Sequence, residues 1–437
     1  MNNYENIDLN EFNSIDINFS KEEKDELKKK LRKKIIKRRG KRTGLVAAAA
    51  VILISTMLLP NVRTVLADRI PVFNELYETL GFKTEYLDKS VYIGKTYEEN
   101  GIKITLDNLV GTKHLVKASL KIQYSDKWNK SKRPVILFDS GFDGKMNTGS
   151  AGGAKDIDKN TTITVIDLMQ DKEFKNKGDF TIKAFSDAFK KSMIWNMNVD
   201  FSKNFNDTIE KDVTMSKNLG FNIKHMEISK IATTIDSDNW RKSSTNGKQY
   251  YFRVDNKIYP IIGASCGNAN GHTFTFMENM TDDAIRNAKN ISLVEYRDKN
   301  DYSKYNKMTK NQINKVDEED QKELDKLSKV QKDGVTYTEN ILFKNGNKAE
   351  IYNVERKNNK LYAYVKGNDK KQIFSMLLNY KLYTSSGSLV QSIEETDEGY
   401  IAEFDDVSNE NVALKMQCDI LKSNGNYSED EAKITFK

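Results

Sequence analysis

The stretch NGIKITLDNLVGTKHLVKASLKIQY, residues 100–124, decides the fold class. From Ile102 to Leu106 apolar residues alternate with Lys103 and Thr105, and beyond Gly111-Thr112-Lys113 the run HLVKASLKIQY (114–124) alternates again. Period-two alternation puts apolar side chains on one face of an extended chain, the pattern of a half-buried β-strand. Thr162–Leu168, Asp179–Phe185 and Met193–Phe201 show the same pattern, punctuated by Asn, Gly, Asp and Lys. Many short strands of this kind predict an antiparallel β-sandwich. Between them DSGFDGKMNTGSAGGAKDIDKN (139–160) is so rich in Gly, Asp and Asn that a loop is expected.

Working outward, the first strand motif recurs. NGIKITLDNL (100–109) has counterparts in FNIKHMEISK (221–230) and NGNKAEIYNV (345–354), each a polar turn leading into an alternating strand. A second strand follows the first and third copies, at 114–124 and at KLYAYVKGN (360–368). A repeat at about 120-residue intervals is domain-sized rather than solenoid-sized. The reading is mainly β, with two or three antiparallel β-sandwich domains at 86–218, 219–300 and 335–437. A charged connector occupies 301–334, where TKNQINKVDEEDQKELDKLSKVQKDG (309–334) has the sparse apolar spacing of a weakly packed helix.

Upstream the chain changes character. GLVAAAAVILISTMLL (44–59) is an uncharged apolar run that extends through Val62 to a length able to cross a bilayer. The block from Lys21 to Arg42 before it holds 13 Lys/Arg against four acids. Basic residues flanking a span stay on the cytoplasmic side. The expected topology is a cytoplasmic tail with a basic helix (1–43), a transmembrane helix (44–62), a juxtamembrane amphipathic segment (63–85) and an extracytoplasmic remainder. A cleaved signal peptide ending at Val65-Leu66-Ala67 is the competing reading; the long leader ahead of the run argues against it. RIPVFNELYETLGF (69–82) sets Phe73, Leu76, Tyr77 and Leu80 on one helical face, as an interfacial helix does.

Inside the membrane, Ser20 and Glu23 form a capping box that opens the basic helix. Ahead of it Ile7, Leu9, Phe12, Ile15, Ile17 and Phe19 are beaded among acids and Asn. Such a segment builds no core of its own, but its apolar beads suit docking on a cytoplasmic partner.

The 437 residues carry a net charge of +7, and residues 1–42 supply +5 of it. The outer part is nearly neutral, which gives no electrostatic footprint for nucleic acid. Gly263-Ala264-Ser265-Cys266-Gly267 fits the nucleophile-elbow spacing. GNANGHTFTF (267–276) cannot start the helix that elbow needs, so a plain loop is expected and no enzyme is read. His114, His225 and His272 are each isolated and expected as surface or strand residues, not metal ligands. Asp156-Ile157-Asp158-Lys159-Asn160 begins like a calcium loop but lacks its turn glycine and closing Glu, so a plain turn is expected. No cofactor motif is recognised. Cys266 and Cys418 are both outside the span, as one disulfide or two separate thiols. Trp195 is expected in a sandwich core, and Trp128 and Trp240 as exposed contacts.

The order of basic helix, apolar span, ADRIPVFNELYETLGF (67–82) and GKTYEENGIKITLDNLVGTKHLVKASLKIQ (94–123) resembles the DUF4179 domain proteins of Firmicutes. KSMIWNMNVDFSK (191–203), followed by FNIKHMEISKIATTID (221–236), resembles the immunoglobulin-like DUF5643 domain that often follows. The resemblance covers roughly residues 25–300. It implies that the sandwiches are immunoglobulin-like and that the protein is an anti-sigma factor, its tail holding a sigma factor while the outer domains sense an unknown envelope ligand. A structural or adhesive envelope protein on a single anchor is the alternative expectation.

Overall fold

A computed structural model of the chain describes Tyr86 and residues 89–437. Excepted are 144–148, 239–247, 264, 268–271, 300–307, several positions between 310 and 324, 359, 380, 381, 386, 407–410 and 418–424. All described residues belong to one compact body, Glu75–Lys437, within which three successive β units are distinguished by their hydrophobic cores. The cytoplasmic tail with Ile7, Leu9, Phe12, Ile15, Ile17 and Phe19, the expected span at 44–62, the segment 69–82, Trp240 and Cys418 lie outside them. No helix among the described residues is long and apolar enough to cross a membrane.

The described chain is mainly β, in several sheets. Strands β1 (Val91–Glu99), β2 (Ile102–Gly111), β3 (Leu115–Tyr124), β4 (Leu137–Phe142), β5 (Gly149–Asp158), β6 (Thr161–Met169), β7 (Lys177–Phe185) and β8 (Met193–Asp200) come first, followed by helix α1 (Ser202–Asp207). They form a five-stranded sheet, β1-β2-β3-β6-β5, and a three-stranded one, β4-β7-β8. The two close on one core that includes Ile104, Leu120, Phe180, Ile182 and Trp195. The expected alternation is strictest in β8, whose residues are buried and exposed by turns. Trp195 is fully buried there, its indole N–H donating to the Lys95 carbonyl at 3.1 Å.

Next come β9 (Ile209–Met215), β10 (Asn222–Ile228), β11 (Thr233–Asp238), β12 (Lys248–Val254), β13 (Lys257–Pro260), β14 (Ser265–Gly267), β15 (His272–Met277), helix α2 (Asp282–Ile285) and β16 (Ile291–Asp298). The last part holds β17 (Lys329–Lys332), β18 (Val335–Thr338), β19 (Asn340–Leu342), β20 (Lys348–Lys357), β21 (Lys360–Gly367), helix α3 (Lys370–Leu378), β22 (Leu382–Thr384), β23 (Ser392–Glu395), β24 (Gly399–Asp405), β25 (Val412–Met416) and β26 (Tyr427–Phe436). One long sheet runs β14-β15-β11-β10-β9-β26-β16-β12-β13-β23-β24-β21-β20-β19, and a four-stranded sheet runs β17-β18-β25-β22.

Two cores share the middle of the long sheet. Tyr250, Phe252, Val254, Ile291 and Leu293 face one core with Ile223, Met226 and Ile235. Tyr251, Val294 and Tyr296, from the same two strands, face the other with the buried face of α3. At its centre β12 thus has no solvent face to fill with polar residues, and KQYYFRV (248–254) carries the adjacent buried aromatics Tyr250, Tyr251 and Phe252 in consequence. The C-terminal strand β26 leaves the last part of the chain and lies between β16 and β9, placing Ala432 and Ile434 in the second core.

Three sequence expectations change. The loop expected at 139–160 contains β4 and β5. A Cβ on Gly152 would lie 2.5 Å from the Val165 carbonyl oxygen, so the glycines that read as loop signals allow β5 to approach β6 closely. The helix expected over 309–334 is present in its first part, where the described residues between 311 and 322 are helical, but its end gives way to the hairpin β17–β18, turned by Asp333 and Gly334 with φ of 50° and 73°. Two successive positive φ values are those of the tight turn that favours Asp-Gly. Trp128, expected as an exposed contact, is packed against the first core, and its N–H donates to the Asn100 carbonyl at 2.9 Å.

Candidate functional site at the joint between the first two units

The turn between β2 and β3 carries Lys113 and His114 to the surface that meets β9, β10 and β15. Hydrogen bonds from the Thr112 N–H and hydroxyl to the Leu115 carbonyl close it, at 2.7 and 3.2 Å. Alternation then sends Lys117 to the outer face of β3, where a lysine ordinarily meets water. Here that face is covered, and Lys117 is 1% exposed.

Lys117 Nζ stands 2.6 Å from Asp167 Oδ1 on neighbouring β6 and 2.8 Å from Glu278 Oε1, just after β15. Burial works against the ammonium, but the two carboxylates outweigh it and raise its pKa. His114 is buried beside it. Its Nδ1 is 3.2 Å from the Gln170 carbonyl, its Nε2 is 3.2 Å from Glu227 Oε1 of β10, and its ring stacks on Phe274 of β15 at 4.4 Å. Burial again opposes the charged ring, and again loses: Glu227 and the Gln170 carbonyl, with Glu173 beyond, raise the His114 pKa. Lys113 adds bridges to Glu210 of β9 at 2.8 Å and to Glu173 at 3.4 Å.

The chain enters at the same place. Tyr86, 1% exposed, donates its hydroxyl to the Ile231 carbonyl at 3.1 Å, and Lys89 pairs with Asp207 at 2.6 Å. The segment arriving from the N-terminal side is therefore fastened at the joint. A buried charge network of this kind holds two bodies in one register and penalises any arrangement that leaves a charge unpaired. Glu227 Oε2 is buried without a hydrogen-bond partner among the described residues, so the network is not fully satisfied. This arrangement can respond to protonation or displacement; it has no nucleophile and base in line.

The sequence did not single out Lys117, Glu227, Glu278 or Tyr86, because each reads as an ordinary solvated or strand position until its partner is placed. His114, expected at the surface or in a strand, is corrected to a buried position by the cover of β10 and β15. His225 and His272 do lie in strands, 2.9 Å from Asp212 and 3.1 Å from Asp236. Asp156 is held by Arg133 at 2.5 Å, Lys130 at 3.0 Å and the Thr162 hydroxyl at 2.7 Å. The Thr162 hydrogen bond and these cations lower its pKa to about 2. Among the described residues no group of His, Cys, Asp and Glu could hold a metal. Ser265 and Cys266 lie in β14, an edge strand paired antiparallel with β15, and among the described residues the next element is that strand and not a helix.

No curated protein matches the chain significantly. Among solved structures, "The crystal structure of the conserved domain protein from Bacillus anthracis" is 15% identical with a TM-score of 0.37, covering 49% of this chain and 79% of that one. The full ectodomain (Ig1–Ig3) of mouse nectin-like molecule 4 is 8% identical with a TM-score of 0.17, covering 46% and 60%. Residues 36–111 match the family described as "Domain of unknown function (DUF4179)", a match that ends with β2. The chain thus carries a DUF4179 domain at residues 36–111.

Proposed function

We propose that the protein is a single-pass membrane regulator, an anti-sigma factor whose cytoplasmic tail holds a sigma factor and whose outer immunoglobulin-like sandwiches sense a condition of the cell envelope. The observation that carries this reading is the order along the chain. Six apolar beads, a block of net charge +9 (21–42) and a 19-residue apolar run precede the strands, and the family match at 36–111 spans the junction. Lys/Arg at one end of such a run fix its orientation. The buried joint supports the sensing half, since a signal needs an element with two arrangements that an outside event can bias.

Co-purification of the tail (1–43) from the host tests the cytoplasmic half. A sigma factor should be captured, and substitution of Ile7, Leu9, Phe12 and Ile15 together should release it. A tail that captures no transcription factor under any envelope stress sinks the proposal and leaves the anchored adhesive protein. Protease added to intact spheroplasts checks the topology: digestion should leave a small protected N-terminal fragment. A mature protein beginning at Asp68 in the medium would refute it.

A further inference from the structure

The end of the first unit away from the joint has a different chemistry. KWNKSKRPVIL (127–137) carries four basic residues and no acid, and AFKKSMIW (188–195) carries two and none. The fold brings these segments together. The Ser186 hydroxyl donates to the Val135 carbonyl at 2.7 Å, Leu137 pairs with Phe185, and Ile194 pairs with Lys183 across β7 and β8. Among the described residues, six large apolar side chains are exposed, and five of them are at this end. Val135 (76%), Leu137 (50%), Ile194 (43%), Tyr97 (42%) and Ile157 (40%), hereafter the belt, are distributed over β1, β8, β4 with its leading residue Val135, and β5, where β8 neighbours β1 and β4 neighbours β5. Lys130 and Lys159 project beside it, their side chains 82% and 85% exposed. The acids nearby are Asp126, Asp156, Asp158 and Asp187, with Asp139 on β4 and Glu98 and Glu99 at the end of β1. Asp156 is neutralised by Arg133 and Lys130, and Asp126 is 4.0 Å from Lys159.

We propose that this belt is a docking surface for an anionic phospholipid bilayer, so that the first unit lies against the membrane in which the chain is anchored. Exposed apolar anchors ringed by lysine suit the boundary between headgroups and acyl chains, with the lysines meeting lipid phosphate. Isolated exposed apolar residues are ordinary, but five of them gathered at one end of a fold, beside lysines, suit a contact surface. The tether permits the contact: residues 63–85 between the expected span and Tyr86 can reach roughly 75 Å when extended. The nine-residue strand β1, which separates the joint from the belt, is about 30 Å long. The inference rests on the membrane-anchored reading of residues 44–62.

The test uses the full chain in lipid nanodiscs of phosphatidylcholine alone or with phosphatidylglycerol, read by amide hydrogen exchange. Retention in the disc reports the anchor; exchange at 127–138 and 186–195 reports the docking. The expected result is slowed exchange at both segments only where phosphatidylglycerol is present. That protection should be lost in Leu137→Asp/Ile194→Asp, and separately in Lys130→Gln/Lys132→Gln/Lys190→Gln/Lys191→Gln. These positions are exposed, and unchanged exchange in the Trp195 core confirms that each variant is folded. A chain retained in both discs with equal exchange at these segments overturns the docking alone. A chain retained in neither overturns the anchor and, with it, the docking.

Discussion

His114 faces hydrogen-bond acceptors at both ring nitrogens, the Gln170 carbonyl and the Glu227 carboxylate. Only the imidazolium, with two N–H groups, satisfies both at once; either neutral tautomer sets a lone pair against an oxygen. The charged groups around it are Glu227 on β10, Glu210 on β9, and Glu173 and Lys113 from its own unit. Because its pKa is raised in the fold, the stability His114 contributes is complete below the ordinary value of 6.5 and is lost as pH climbs through the higher folded value. We therefore expect amide exchange at the joint to accelerate as pH rises from about 6.5, once intrinsic exchange is corrected for. Glu227→Gln should flatten that profile, and a flat profile in the unmodified protein would exclude the mechanism. Lys117 gives a test that does not depend on protonation. Lys117→Met leaves Asp167 and Glu278 facing each other without the ammonium, a loss of about 3–5 kcal/mol for a broken buried pair. Adding Glu278→Gln should restore part of it; denaturant unfolding of both variants measures the difference.

The strands that were legible are those that bury one face only. β8 could be read residue by residue because its outer face meets water, and the three repeated motifs proved to be β2, β10 and β20, each the first strand of an antiparallel pair. Each pair also carries a register shift within the first strand, at Leu106/Asn108, Ile223/His225 and Ile351/Asn353. Such a bulge bends the strand over its core and leaves little mark on a period-two pattern. β5 was illegible for another reason: it is specified by its partner β6, and its glycines look like a loop unless that partner is known. The element makes its own prediction. Gly152→Ala puts a methyl group 2.5 Å from a backbone oxygen, which no side-chain rotation relieves. A destabilisation of about 1–3 kcal/mol is expected in denaturant unfolding, as for other overpacked sites. A cost within experimental error would mean that β5 can slide on β6.

Across the whole molecule, the feature furthest from the sequence is the closing strand. Residues 427–436 read naturally as the last strand of the last sandwich, because nothing local says that they return across 129 to 143 residues to pair with β16 and across more than 200 to pair with β9. The joint was hidden by the same non-locality, since Lys117 and Glu278 stand 161 positions apart and neither is unusual alone. The return has a thermodynamic consequence. β26 places Ala432 and Ile434 in the second core, while β12 and β16 serve the second and third cores from opposite faces. Damage to one core is therefore transmitted to the other through a shared wall, and the two should melt as one transition. The first unit has its own core and meets the second through a largely polar joint, so it should melt separately. Truncation after Asn426 removes one of the two neighbours of β16, the one paired with all eight of its residues, and opens the second core at two positions. Calorimetry of the truncated chain should show the shared transition abolished and the transition of the first unit kept. If the truncated chain instead keeps both transitions, the C-terminal strand is an ornament on the second core and the two later units are independent domains.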